Sequence, residues 1–145
     1  MCIRDREGAT FTHCVPTILQ MLLAAPEVED TDLSRLKMVI GGSALPRGLA
    51  AAAMQRGIDI YVGYGLSETC PVLSFAALTP GEEGDVAARV RTGRPLPLVD
   101  LRIVDEEMAE QPRDGASTGE VVVRCLLYTS PSPRDATLSR MPSSA

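Results

Sequence analysis

Apolar residues recur with helical spacing near the start of the chain, between two prolines. Pro16 suits the first turn of a helix, because that turn would leave its amide unpaired in any case, and Pro26 would end the helix. The residues that would share the apolar face are Val15, Ile18, Leu19, Leu22 and Leu23. This pattern predicts an amphipathic helix that begins at Pro16.

Two short apolar runs, at residues 36–40 and 58–62, each stop at a glycine-rich segment, as buried strands do. Between them Pro46 stands at a helix start, and Gly57 closes an alanine-rich helix over residues 49–54. The order strand, helix, strand with short connections is typical of a parallel sheet.

The pattern changes after Pro71. Residues 72–77 predict another strand, and residues 79–85 a loop of Gly, Pro and acidic side chains. Residues 99–104 alternate polar and apolar, which favours a half-exposed antiparallel strand, and a charged connection leads to a last strand at 119–124. We therefore predict an α/β fold, in which a parallel βαβ portion is followed by a small β region.

Composition and charge narrow the class of protein. The 145 residues allow one domain at most, and 45% hydrophobic residues with 23% charged residues are typical of a globular chain. A net charge of −5 argues against a nucleic-acid partner, because duplex binding depends on a dense basic face. No apolar run reaches the roughly 18–20 residues that span a bilayer, so we expect no transmembrane segment. The four cysteines are scattered and no secretory signal is visible, so we expect a cytoplasmic location.

The two ends of the chain differ from the middle. Residues 125–145 are dominated by Ser, Pro, Thr and Arg, a composition that buries too little apolar surface to fold. Residues 2–6 and 125–135 also resemble translated sequencing-adapter sequence. We therefore expect 1–6 and 125–145 to be non-native or disordered ends, with the natural segment at 7–124. A phosphorylated or partner-binding tail is the alternative.

Two glycine-rich segments, at 41–46 and 63–69, follow the two predicted parallel strands. Ligands of parallel sheets bind at the carboxyl ends of strands, where glycine lets them approach the backbone. Tyr64 offers a flat ring, Ser67 a hydroxyl for a phosphate oxygen, and Glu68 a hard oxygen ligand suited to Mg²⁺. The alternative is that both segments are ordinary turns with a capping serine.

The string Gly-Tyr-Gly-Leu-Ser-Glu-Thr at 63–69 resembles the Gly-Tyr-Gly-x-Thr/Ser-Glu signature of the adenylate-forming acyl-CoA synthetase superfamily. Other segments resemble that family in the same order along the chain: Val-Pro-Thr-Ile-Leu at 15–19, Gly-Gly-Ser-Ala-Leu-Pro-Arg at 41–47, Thr-Gly-Arg-Pro-Leu-Pro at 92–97, and the segments 99–105 and 119–124. The strings at 63–71 and 97–105 resemble fatty-acyl-CoA ligases in particular. The resemblance implies that residues 7–124 are a partial AMP-binding domain, the parallel βαβ portion of the family's large N-terminal domain.

What the resemblance implies is an ATP-dependent, AMP-forming acyl-CoA ligase. A carboxylic acid, expected to be a fatty acid, would attack the α-phosphate of ATP to give an acyl-adenylate and pyrophosphate. The thiol of coenzyme A would then displace AMP. The implied cofactors and co-substrates are therefore ATP, Mg²⁺ and coenzyme A, and the whole enzyme could contact a membrane peripherally.

The same resemblance assigns roles to residues position by position. The catalytic residues would be Ser67, which binds phosphate, and Glu68, which holds Mg²⁺ and so offsets charge on the leaving pyrophosphate. The adenine-binding residues would be Ser43, Ala44, Val62, Gly63 and Tyr64, with the Tyr64 ring stacked on the base. The walls of the acyl pocket would be Gly41, Gly42, Gly65 and Leu66.

Several parts of the family's machinery do not occur among these residues. They are the Ser/Thr/Gly-rich phosphate loop with its lysine, the ribose-binding aspartate, and the small C-terminal domain with its catalytic lysine. We therefore expect a central fragment of a longer ligase that is inactive alone. The alternatives are an aryl-acid ligase, a carrier-protein-loading adenylation domain, or a non-catalytic nucleotide-binding or interaction module. His13 and Cys14 are adjacent, and sequence neighbours rarely form a catalytic dyad.

Overall fold

The computed structural model describes residues 8–69 and 71–125. The chain divides into two compact units, Met1–Leu96 and Pro97–Ala145, which are described separately below. Of the predicted ends at 1–6 and 125–145, all but the backbone of Cys125, the last residue of a strand, lies outside the described residues, so the expectation of non-native or disordered ends stays a prediction.

Five strands form a single sheet in the first unit, in the order β1-β2-β3-β4-β5. Their bounds are β1 Phe11–Cys14, β2 Lys37–Ile40, β3 Asp59–Tyr64, β4 Ser74–Phe75 and β5 Arg94–Pro95. The first three are parallel, with Cys14 opposite Ile40 and Ile40 opposite Val62. The direction changes at β3, since β4 runs antiparallel to β3 and β5 antiparallel to β4.

Three helices accompany the sheet: α1 Pro16–Ala24, α2 Arg47–Gln55 and α3 Val86–Arg89. Single 3-10 turns occur at Pro26–Val28 and Ser67–Thr69. Pro16 stands in the first turn of α1 as predicted, and the Asp85 side chain caps α3 by accepting from the amide of Ala87 at 2.8 Å.

The core of the first unit lies on the face of the sheet that α1 and α2 cover. Even-numbered strand residues point to this face, because side chains alternate along a strand. Leu19 of α1 and Ala50 of α2 pack there against Ile40 and Ile60, and all four side chains are fully buried. The odd-numbered residues face the other way, toward the cleft described below.

Arg89 connects α3 to the amino end of β3. Its Nη1 donates to Asp59 Oδ1 at 2.7 Å and to the carbonyl of Ile60 at 2.9 Å, and its Nε donates to the carbonyl of Glu83 at 2.8 Å. The guanidinium also lies 5.4 Å from the centre of the Tyr61 ring, whose hydroxyl donates to Asp59 Oδ2. Partial burial and the neighbouring carboxylate raise the pKa of Tyr61. This buried cation therefore has its hydrogen bonds satisfied within the fold.

The second unit is an antiparallel hairpin of β6 Val99–Val104 and β7 Glu120–Cys125. Asp114 stabilises a turn in the long connection between them, because its carboxylate accepts hydrogen bonds from the amides of Ala116 and Ser117 at 2.8 and 2.7 Å. These hydrogen bonds to the charged form lower the pKa of Asp114 to about 2. On the strands, hydrogen bonds from Arg102 similarly lower the pKa of Asp100.

The predicted α/β fold is confirmed, and the predicted helices and strands occur with their ends shifted by at most two residues. Among the α-helices and strands, three were not predicted: β1, α3 and β5. Polar Thr12 and His13 interrupt the apolar pattern of β1, and α3 follows directly on an acidic loop. β5 contains a proline, which removes one amide from strand pairing.

Candidate active site

A cleft of about 800 Å³ lies along the face of the sheet opposite the buried core, at the carboxyl ends of the parallel strands, and reaches the start of α1. Its floor is formed by odd-numbered strand residues, among them His13, Val39 and Gly63. Its walls come from the start of α1 and from the segment that follows β3, and most of the lining side chains are apolar. The cleft opens beside the carboxyl ends of the parallel strands, where α/β sheets bind ligands.

Glycines at these strand ends let backbone segments come closer than side chains would permit. A Cβ on Gly65 would lie 1.7 Å from the carbonyl oxygen of Pro71, and one on Gly63 would lie 2.9 Å from the Phe75 ring. A Cβ on Gly41 would approach the carbonyl oxygen of Gly63 to 3.2 Å. Because these positions carry no side chains, the cleft stays open and the segment after β3 packs closely against the strand ends.

Two sets of hydrogen bonds hold the segment that leaves β3. The amide of Leu73 donates to the carbonyl of Tyr64 at 2.7 Å, which fixes the return of the chain toward β4. The Thr69 hydroxyl donates to the carbonyl of Leu66 at 2.9 Å and accepts from the amide of Leu66 at 3.1 Å. The 3-10 turn Ser67–Thr69 is thereby fixed at the mouth of the cleft.

The structure brings most of the predicted site residues to this cleft. The predicted residues that line it are Gly41, Gly42, Gly63, Tyr64, Gly65, Leu66 and Ser67. Three of the predicted site residues are exposed and do not line the cleft. Ser43 and Ala44 lie on the connection to α2, and Glu68 lies on the 3-10 turn. The Val62 side chain is 4% exposed and belongs to the core, so only its backbone could contact a nucleotide.

Other residues line the cleft that sequence reasoning did not assign to it, among them Phe11, His13, Val39 and Phe75. They come from β1, β2 and β4, at alternate strand positions that share one face with Gly63. The signal that could have found Phe11 and His13 is this alternation, which becomes informative once residues 11–14 are recognised as a strand.

Cys14 packs partly against the core beside the cleft, and its thiol donates to Met38 Sδ at 3.7 Å. Partial burial raises the pKa of this thiol, which keeps it protonated and weakly nucleophilic. On a strand the neighbouring side chain of His13 points to the opposite face. The geometry therefore does not present the two side chains as a nucleophile and its base.

The carboxylate of Glu68 is the candidate metal ligand. Within residues 8–69 and 71–125, no three His, Cys, Asp or Glu side chains are grouped closely enough to hold a metal ion. Mg²⁺ in nucleotide sites is usually held by one or two carboxylates together with substrate phosphates. One exposed carboxylate at the mouth of a cleft fits a Mg²⁺ that arrives with a nucleotide.

No helix in the described part of the chain has the length and apolar character needed to cross a bilayer.

A parallel sheet with glycine-rich strand ends bordering a cleft is typical of the α/β class of domains, which bind ligands at this edge of the sheet. The chain belongs to the AMP-binding enzyme family, whose pattern matches residues 3–126.

Relatives and solved structures are similar over most of this chain. The long-chain-fatty-acid–CoA ligase of Thermus thermophilus is 40% identical over 126 residues, covering 83% of this chain and 23% of that protein. The indoleacetate–CoA ligase of Aromatoleum aromaticum is 34% identical over 121 residues, covering 83% of this chain and 22% of that protein. The structure of an amide bond synthetase from Marinactinospora thermotolerans matches with a TM-score of 0.69 and 32% identity, over 84% of this chain and 24% of that one. The chain thus spans about a quarter of the length of the relatives it matches.

Proposed function

We propose that this chain is the central, nucleotide-binding and acid-binding part of a ligase that activates a carboxylic acid with ATP and transfers it to coenzyme A. The observation that carries the proposal is the cleft, whose lining is mostly apolar and includes residues 63–67. An acid would lie in this cleft with its carboxylate at the mouth, beside groups suited to a phosphate. Membership of the AMP-binding enzyme family supports the same reaction, as does the similarity of this chain to CoA ligases such as those of Thermus thermophilus and Aromatoleum aromaticum.

The proposed reaction has two steps. In the first, a carboxylate oxygen of the acid bonds to the α-phosphorus of ATP, and the bond from that phosphorus to the bridging oxygen breaks, releasing pyrophosphate. In the second, the sulfur of coenzyme A bonds to the acyl carbon, and the carbon–oxygen bond to AMP breaks as the thiol proton is lost. The cleft would bind the acid and exclude water from the acyl-adenylate.

The described residues would act on the nucleotide at the mouth of the cleft. The Tyr64 ring, at the last position of β3, would stack on adenine, with Ser43, Ala44 and the backbone of Val62 and Gly63 nearby. The Ser67 hydroxyl would donate to a phosphate oxygen. Glu68 would hold Mg²⁺, which supplies positive charge against the charge that develops on the leaving pyrophosphate.

The acid itself is proposed to be a fatty acid, held by Gly41, Gly42, Gly65 and Leu66 and by the apolar floor of the cleft. An aryl acid is the second candidate, because a relative named for indoleacetate is 34% identical over a similar span. A carrier-protein-loading adenylation domain and a non-catalytic nucleotide-binding module stay as further alternatives. A CoA ligase would adenylate a free acid and form the thioester with coenzyme A. A carrier-protein-loading domain would form the thioester with a carrier protein instead, and a non-catalytic module would form neither product.

The test is pyrophosphate exchange into ATP, measured with a full-length ligase that carries this chain. Replacing Glu68 by Gln should lower the acid-dependent exchange rate by roughly tenfold or more while ATP affinity changes little, because the carboxylate acts most where charge develops. Glu29→Gln is the matched control, since Glu29 is also an exposed glutamate but lies away from the cleft lining. An exchange rate that is equal in the two variants would remove Glu68 from the site.

A further inference from the structure

We propose that the Phe75 ring restricts the bound acid beside its carboxylate, so that the site accepts acids with an unbranched carbon next to the carboxylate and rejects acids that are branched there. This inference rests on the proposed function and specifies the class of acid that the site accepts.

The Phe75 ring occupies the space above Gly63 on the floor of the cleft. Phe75 lies opposite Gly63 in the pairing of β4 with β3, and side chains directly opposite in an antiparallel pair share one face of the sheet. A Cβ on Gly63 would lie 2.9 Å from Cε1 and 3.3 Å from Cδ1 of this ring, and 3.3 Å from Cγ1 of Val39. The ring therefore crosses from β4 toward β3 and covers the position that a side chain at residue 63 would fill.

The backbone of Phe75 is held on both sides. On one side β4 pairs with β3. On the other side the Ser74 hydroxyl donates to the carbonyl of Thr92 at 2.7 Å, and Gly93 packs so closely that a Cβ there would lie 1.6 Å from the carbonyl oxygen of Phe75. The point from which the ring projects into the cleft is therefore fixed, and a shift of β4 cannot make room for a wider acid.

The strand register places the Phe75 ring at the mouth of the cleft, where the carboxylate of the acid would lie. Gly63 and Gly41 stand at the strand ends, whereas Phe11 lies opposite Lys37, four residues before Gly41 on the chain. Because a strand rises roughly 3.3 Å per residue, Phe11 lies about 13 Å farther along the floor than these glycines. Phe75 would therefore contact the first carbons of the acid, and Phe11 its far end.

A branch beside the carboxylate has no room above Gly63, because the Phe75 ring already fills that space. The two methyl groups of a 2,2-dimethyl acid project to opposite sides of the chain, so one of them must face the floor. An unbranched acid places only hydrogens there. One methylene more or less in an apolar pocket changes kcat/KM by roughly 10–200-fold, which sets the scale of the expected discrimination.

The test measures acid-dependent pyrophosphate exchange, with a full-length ligase that carries this chain. Each pair contains an acid and its 2,2-dimethyl derivative: hexanoate, dodecanoate and phenylacetate represent short, long and aromatic acids. For the pair that is used best, the wild-type kcat/KM should be higher for the unbranched acid by roughly tenfold or more. Phe75→Ala should lower this ratio by roughly tenfold, chiefly by raising kcat/KM for the branched acid. Phe75→Leu, which retains an apolar side chain above Gly63, should lower it by a smaller factor.

Phe11→Ala is the matched control, because it removes the same side chain from the far end of the floor. It should change kcat/KM for the two acids of a pair by the same factor, so that their ratio stays at the wild-type value. The KM for ATP should be the same in all four proteins, since a general loss of structure would raise it.

A wild-type ratio near one, or a ratio that both Phe75 variants leave unchanged, would overturn this inference and leave the proposed function standing. A ratio that falls equally in Phe11→Ala, or that falls only together with a raised KM for ATP, would overturn it as well. Failure of every acid to support pyrophosphate exchange would overturn the proposed function, and this inference with it.

Discussion

Gly65 stands where the chain leaves β3, and its replacement by alanine tests how tightly the segment after that strand is held. An added Cβ would lie 1.7 Å from the Pro71 carbonyl oxygen, 2.6 Å from its carbonyl carbon and 2.8 Å from the Cα of Val72. All three atoms belong to the backbone, so no rotation of a side chain relieves the clash. The segment at Pro71 would have to move by roughly 1.5–2 Å to reach ordinary contact.

The cost of that movement follows from what the segment is bonded to. Leu73 donates its amide to the carbonyl of Tyr64 at 2.7 Å, only two residues beyond Pro71, and a shift of this size breaks that hydrogen bond. Overpacking of a well-packed region costs about 1–3 kcal/mol, and a lost intramolecular hydrogen bond about 0.5–1.5 kcal/mol. We therefore expect Gly65→Ala to lower the free energy of unfolding by about 2–4 kcal/mol.

Urea denaturation of the 145-residue chain measures this loss. With a slope of about 2 kcal/mol per molar, the midpoint should fall by about 1–2 M. Gly84→Ala is the control, because a Cβ there meets nothing within 4 Å and the backbone is not left-handed. If the two variants unfold at the same urea concentration, the close approach of Gly65 to Pro71 does not constrain the site.

Two further predictions concern charged groups. Arg89→Met should lower the free energy of unfolding by about 2–4 kcal/mol in urea denaturation, because it leaves two carbonyls and the 29%-exposed Asp59 side chain without their buried partner. Arg91→Met is the control, because it removes only an exposed ion pair with Glu82 at 3.8 Å and should lower the free energy of unfolding by less than about 1 kcal/mol. Equal losses of stability in the two variants would contradict the buried role of Arg89. Asp114 has a pKa lowered to about 2, so its stabilising hydrogen bonds should be complete above about pH 4 and lost as the pH falls through 2. NMR titration of the amides of Ala116 and Ser117 follows this loss, and a midpoint near the ordinary aspartate value of 3.8 would show that the turn is not formed.

Much of the fold could be predicted because the strongest signals are local. Pro16 begins α1, and the apolar runs that end at Gly41 and Gly63 mark β2 and β3. β1 was missed because its pairing with β2, rather than its own residues, makes it a strand. β4 and β5 contain two residues each, so tertiary packing determines them and local propensity does not.

The site could be predicted where it lies on a continuous motif. Tyr64, Gly65 and Ser67 belong to one string, and the structure places all three at the cleft. His13 and Phe75 reach the same cleft from distant parts of the chain, and only the register of the sheet brings them together. A sequence read along its length contains no signal for such a juxtaposition.

The change of strand direction at β3 restricts how the segment between β3 and β4 can vary in length. β4 pairs with the end of β3 so that Phe75 lies opposite Gly63 and Ser74 opposite Tyr64. Inserting or deleting one residue between 65 and 73 would shift this register by one and exchange the two faces of β4. Phe75 would then leave the cleft, and Ser74, whose hydroxyl now donates to the carbonyl of Thr92 at 2.7 Å, would enter it. Natural homologues and engineered loop grafts should therefore change the length of this segment in steps of two residues, or add a β-bulge that restores the original faces.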